Sequence, residues 1–153
     1  MSSGRRRVRM SETEVASFLD AGSKLQVATV NPDGTPHLTT LFYVVRDGRL
    51  AFWTYGTSQK VRNLERDPRL TCLVEDGTAY DELRGVSVTG TAELLREPGE
   101  VAGIGTAVVS AMVGGADLGE EGAAEVERQA GKRVGVVVTP TKVVSWDHRK
   151  LRS

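Results

Sequence analysis

The chain predicts a mainly β fold with added helices, an α+β domain built on a six-stranded antiparallel barrel. Three observations carry this expectation. Two tight turns, Asn31-Pro32-Asp33-Gly34 and Arg46-Asp47-Gly48, join three successive strand-like segments into an antiparallel meander. A long segment from Arg84 to Leu95 alternates Val86, Val88 and Gly90 with Ser87, Thr89 and Thr91. Helical patterns fall only at crossovers and ends, and an antiparallel sheet of this size removes its edges best by closing on itself.

The elements follow in order. Ser11-Glu12-Thr13-Glu14 is a capping box, and Val15, Phe18 and Leu19 then share one helical face. Strands are expected over 24–30, 35–46 and 49–54, the second running unbroken into the Arg46 turn. A helix over 58–66 buries Val61 and Leu64 and ends before Pro68, which disfavours helix at Asp67. Strands over 69–75 and 84–95 come next. Val101, Ile104, Val108 and Met112 give helical spacing over 100–113, although glycines weaken that segment. Residues 120–130 form a second helix rich in Ala and Glu. Residues 132–139 make the sixth strand, and 143–146 extend it past Pro140. Residues 11–153 are expected to form a single domain and residues 1–10 a disordered N-terminal tail.

Composition excludes several classes of function. The 153 residues carry 20 basic and 20 acidic side chains, so no basic excess asks for nucleic acid. The one basic cluster, Arg5, Arg6, Arg7 and Arg9, falls in the expected tail. A lone cysteine, Cys72, allows no internal disulfide, and no apolar run is long enough to span a bilayer. The expected setting is cytoplasmic, with no membrane partner. His37, His148 and Cys72 have no metal-ligand spacing, so no metal site is expected. Leu70, Cys72 and Val74 alternate, which makes the thiol a small hydrophobe on a sheet face. Glu75, Asp76, Asp81 and Glu82 are explained most simply as a polar loop.

The stretch Trp53 to Leu64 carries the candidate site. A strand ending near Thr54 turns through Gly56 into a helix start at Ser58. Helix N-termini present free amides and a positive dipole end, and Lys60 in the first turn adds an ammonium. A hydroxyl, free amides and one Lys together suit a phosphate, and the nearby Trp53 indole suits a planar ring. The plain alternative makes Ser58 an N-cap, Lys60 a surface charge and Trp53 core. Leu38-Thr39-Thr40-Leu41 offers hydroxyls and backbone groups for the polar edge of a heterocycle, or equally β-branched strand filling. Trp146, close to the end of the chain, is expected to pack on something.

At these residues the chain resembles the pyridoxamine 5′-phosphate oxidase-like family of flavin-binding split barrels. The resembling segments are Ala28 to His37, Phe52-Trp53-Thr54, Ser58-Gln59-Lys60, Asn63-Leu64, Asp67-Pro68-Arg69 and Gly85 to Glu93. The resemblance implies an FMN-binding type split barrel and a homodimer with cofactor sites in the subunit interface. It implies that Ser58, Gln59 and Lys60 lie at the cofactor phosphate. Trp53, Thr54, Leu38, Thr39, Thr40, Leu41 and Gly85 would line the ring, with Trp146 reaching in from the partner. Gln59 stands where the oxidase has Arg, and the oxidase's C-terminal substrate-phosphate segment has no counterpart here, which argues against that reaction. Asp81 to Val86 and Trp146 to Lys150 are more similar to an actinobacterial branch that uses the deazaflavin F420. The function this implies is an oxidoreductase passing hydride from reduced F420 to a small electron-poor organic substrate, with no catalytic side chain assigned. The alternatives are an FMN enzyme of the same family and a non-catalytic cofactor- or haem-binding barrel.

Overall fold

The computed structural model describes residues 3–152. A short helix α1 (Ser3–Arg7) precedes α2 (Glu12–Ala21), β1 (Lys24–Val30), β2 (Pro36–Phe42), β3 (Val44–Arg46) and β4 (Arg49–Tyr55). Helix α3 (Gln59–Arg66), β5 (Arg69–Asp76) and β6 (Arg84–Leu95) follow, then α4 (Pro98–Met112), α5 (Gly119–Ala130) and β7 (Arg133–Asp147). Every strand pairing is antiparallel, in the order β2-β1-β5-β6-β7-β4-β3.

Seven strands stand where six were expected, because the segment 35–46 is broken at Tyr43. Its amide donates to Ser23 O at 3.0 Å and its hydroxyl donates to Leu19 O, so it belongs to neither ladder. The two pieces lie at opposite ends of the sheet order yet are joined through this one residue. The sheet therefore curls until its ends meet, with β2 bonded to β1 and β3 to β4. That is the split barrel. Leu25, Val27, Phe52, Leu70, Cys72, Val86, Val88, Val136 and Val138 fill its interior, each from the inward half of an alternating strand.

The last strand is continuous through Pro140. The β6–β7 register shifts between Thr89 and Gly90, a bulge that accommodates the proline. β4 pairs only with Arg133–Val137, so beyond them β7 has one neighbour and a missing amide costs no ladder bond on its free side. Helix α4 packs on the outer face through Ile104 and Val108 against Ala51 and Val137.

The N-terminal tail departs from expectation. Met1 and Ser2 lie outside the described residues, and 8–10 lie against the end of β7. Val8 and Met10 are buried. Asp147 N donates to Val8 O, Met10 N donates to Ser145 Oγ, and Lys150 Nζ donates to Arg9 O. The free edge of β7 supplies bonding groups that a tail read by charge alone would not reveal. We predict that Met10→Ala lowers unfolding free energy by about 2–3 kcal/mol. Urea denaturation measures this, and an unchanged midpoint would mean that the segment is undocked in solution.

Candidate functional site

The hydrogen-bond registers locate a gap in the barrel wall. β3–β4 pairing ends at Val44↔Ala51. Continued, it would set Leu41 opposite Thr54, but β2 turns away to pair with β1 alone. Leu38 to Leu41 and Thr54 thus flank the split, each with an edge not used in the sheet. Helix α3 starts just beyond, at the end of β4.

The sequence seats α3 through Asn63. This side chain is fully buried and its Nδ2 donates to Thr29 Oγ1 and Asn31 Oδ1, both at 3.0 Å. Gln59 Nε2 donates to Asn63 Oδ1 at 2.9 Å, so Gln59 serves this network and not the helix mouth. Ser58 is the N-cap, its Oγ accepting from Val61 N at 3.4 Å. The amides of Gln59 and Lys60 have no acceptor among the described residues.

Lys60 is only 9% exposed. Its Nζ meets the Thr54 hydroxyl at 3.3 Å and no carboxylate. Burial lowers its pKa from the usual lysine value. A buried ammonium without a counter-anion is costly, and the two free amides beside it offer an anion further donors. On the same inner face, Thr39 Oγ1 and His37 Nδ1 are buried without a hydrogen-bond partner. These orphaned groups fit a ligand with an anionic end at α3 and polar atoms along β2.

Other expected members are placed differently. Thr54 faces inward, so the Trp53 side chain faces outward. Its indole lies against Gly105 of α4, where a Cβ would collide with the ring, and beneath the Arg133 guanidinium at 4.7 Å. Arg133 lies 4.2 Å from the Tyr55 ring as well. The Trp53 side chain is therefore part of the α4 packing and does not face Lys60. Leu38 and Thr40 point outward, with Leu38 67% exposed. Gly85 and Trp146 are brought together as a cross-strand pair, and the indole occupies the space that a Cβ on Gly85 would take. They stand at the opposite end of the β6–β7 ribbon from Thr54, the Lys60 partner, however. Gly85 pairs with Trp146 at one end of the β6–β7 ribbon and Leu95 with Gly135, next to Thr54, at the other. At about 3.3 Å per residue the path between those ends, followed along the curled strand, is roughly 30 Å.

The remaining titratable groups narrow the chemistry. Cys72 is buried and its thiol is pushed up to about 12, so it is no nucleophile. The Tyr43 hydroxyl is committed to Leu19 O. Asp76 pairs with Arg84, Asp81 with Arg152, and Glu82 accepts from Ala79 N, which leaves no facing pair of acids in that loop. Asn63, which sequence pattern did not single out as a site residue, is the anchor that sets the position of the helix mouth. No group of metal-ligating side chains occurs among the described residues. Nor is any described helix long and apolar enough to cross a membrane.

Comparison with known proteins decides the family. The description "Pyridoxamine 5′-phosphate oxidase" matches residues 11–147. The chain belongs to the pyridoxamine 5′-phosphate oxidase-like split-barrel family. A conserved hypothetical protein from Mycobacterium tuberculosis is 41% identical, with 99% of this chain and 94% of that one covered and a TM-score of 0.90. An F420 reductase is 23% identical over 83% of this chain and 93% of that one, with a TM-score of 0.59. A FAD-binding protein from Mesorhizobium loti is 20% identical over 89% of this chain and 94% of that one, with a TM-score of 0.66. These last two share the fold. No curated protein matches the chain.

The Lys60 environment yields a stability prediction. Its folded-state pKa is below the unfolded one, so the folded state disfavours the charged form. The penalty is full below the folded pKa and disappears as pH rises towards the unfolded value. Lys60→Met without ligand should be at least as stable as the parent at pH 7, and the two should converge near pH 10. Urea titrations at both pH values test this; a large loss at pH 7 would mean that Lys60 has a structural partner.

Proposed function

We propose that the chain is a cofactor-dependent oxidoreductase that uses F420, with FMN as the alternative. It would act as a homodimer with two sites between subunits and reduce a small electron-poor organic molecule. The observation that carries this reading is the buried Lys60 ammonium, which faces one hydroxyl and no carboxylate. Membership of a flavin-binding family supports it, and the resemblance of Asp81 to Val86 and Trp146 to Lys150 to an F420-using branch supports the choice of deazaflavin.

Lys60, the Ser58 hydroxyl and the Gln59 and Lys60 amides would hold the cofactor phosphate. The Thr39 hydroxyl and the free edge of β2 over Leu38 to Leu41 would hydrogen-bond the polar rim of the ring. When bound, the cofactor supplies the hydride, and the protein supplies orientation and exclusion of water. The separation of Gly85 and Trp146 from Lys60 favours a site shared by two copies. A partner's β6–β7 end placed beside the split would bring Gly85 and Trp146 to the same ligand as Lys60. Exposed Leu38, Val143 and Val144 provide apolar surface for such an association.

Spectral titration with F420 and FMN tests the assignment. Expected is a dissociation constant well below millimolar for one of them, weakened about tenfold or more by Lys60→Met. The parent's affinity should fall as pH rises through the depressed Lys60 pKa, while that of Lys60→Met stays level. Failure of both cofactors to bind at roughly millimolar concentration refutes the reading.

Sharing between copies has its own test. Lys60→Met and Trp146→Ala proteins, each weak alone, are unfolded together and refolded as mixed dimers. A shared site restores one intact binding site per mixed dimer. A site within one chain restores none.

A further inference from the structure

A separate cavity of about 530 Å³ lies under α2, at the end of the barrel remote from Lys60. Its apolar wall is Met10, Phe18 and Val74, and its polar wall is set by Arg84, Asp147 and Arg149. This volume is within the range of small-molecule sites. The Arg84 guanidinium lies over the Phe18 ring at 5.2 Å, which fixes one of its faces against an aromatic platform.

The polar wall carries both charges, Glu14, Glu75, Asp76 and Asp147 with Lys24, Arg84 and Arg149. Asp147 accepts from the Arg149 backbone amide, Nε and Nη2. Glu14 accepts from Lys150 and from Ser11 N. Asp76 accepts from Arg84 Nη2. Of the carboxylates in the lining, Glu75 alone has no bond among the described residues, and it is exposed at the mouth. The guanidiniums are less committed. Arg84 makes a single hydrogen bond, through Nη2, and Arg149 leaves Nη1 free. A guanidinium carries five N–H donors, so Arg84 and Arg149 both keep donors free beside an apolar surface.

We propose that this cavity is a second ligand site, which takes a planar apolar molecule bearing one carboxylate. The carboxylate lies against Arg84 and Arg149, and the apolar body fills the space between Phe18, Met10 and Val74. The site shares no residue with the mouth of α3 or with the Gly85–Trp146 pair, which Arg84 and Asp147 adjoin in sequence.

The test uses the full chain without cofactor and 2-naphthoate as probe. Calorimetry gives affinity, and backbone amide shifts give the place. The neutral 2-naphthamide and the cationic 2-naphthylmethylamine are the controls. Expected is saturable binding of 2-naphthoate that shifts Phe18, Val74 and Arg84 amides, with both controls about tenfold weaker or more. Arg84→Gln and Arg149→Gln should each weaken the naphthoate about tenfold, Arg84→Lys should recover part of the loss, and Lys60→Met should leave it unchanged. Equal affinity for naphthamide, shifts confined to α3, or no saturation below roughly 10 mM each overturns the proposal. Shift mapping on the parent protein keeps the test valid should either arginine variant fail to fold.

Discussion

The break at Tyr43 is the constraint on which the rest of the architecture depends. One extended segment must hydrogen-bond β1 with its first half and β4 with its second. A straight strand of that length would stay on one neighbour. Tyr43 leaves both ladders, anchored by its amide to Ser23 and its hydroxyl to the end of α2. Closure follows because the two ends of the sheet are now covalently adjacent. The split follows too, because β2 leaves β4 before Thr54 is reached.

The electrostatics of the helix mouth depend on that geometry. Lys60 is buried because α3 packs back on β1 through Asn63, and its ammonium enters beside the gap. Elsewhere the chain satisfies its charges locally, as in the Asp67–Arg69 and Asp147–Arg149 pairs. Asp67 is held at about 2 by hydrogen bonds from Arg69, which is ordinary behaviour for an exposed pair. Lys60 stands out because it has desolvation without compensation. Natural proteins leave such a group where a ligand completes it.

Much of the fold was legible along the chain. The capping box at Ser11 and Glu14, β1, β6 and the N-cap at Ser58 stand where residue pattern put them. The helix start with its hydroxyl, amides and Lys was visible because these groups are close in sequence. The direction of the Trp53 side chain was not legible, for the opposite reason. Nearness to Ser58 suggested a shared site, but strand alternation sends the indole to the α4 side, and only the small residue at Gly105 makes room for it there. In the N-terminal segment four arginines mask the two apolar side chains, Val8 and Met10, that are buried against the domain.

The sequence by itself determined local matters: which segments are strands, where helices begin, and that one helix mouth carries a lysine. Such features need only neighbours within a few residues. Tertiary structure decided that the strand 35–46 serves two partners, that Asn63 holds the helix, and that Gly85 and Trp146 meet each other across β6 and β7. Those outcomes depend on register and curvature across residues distant in the chain. No periodicity along a single segment encodes them, because they are fixed only when the sheet closes.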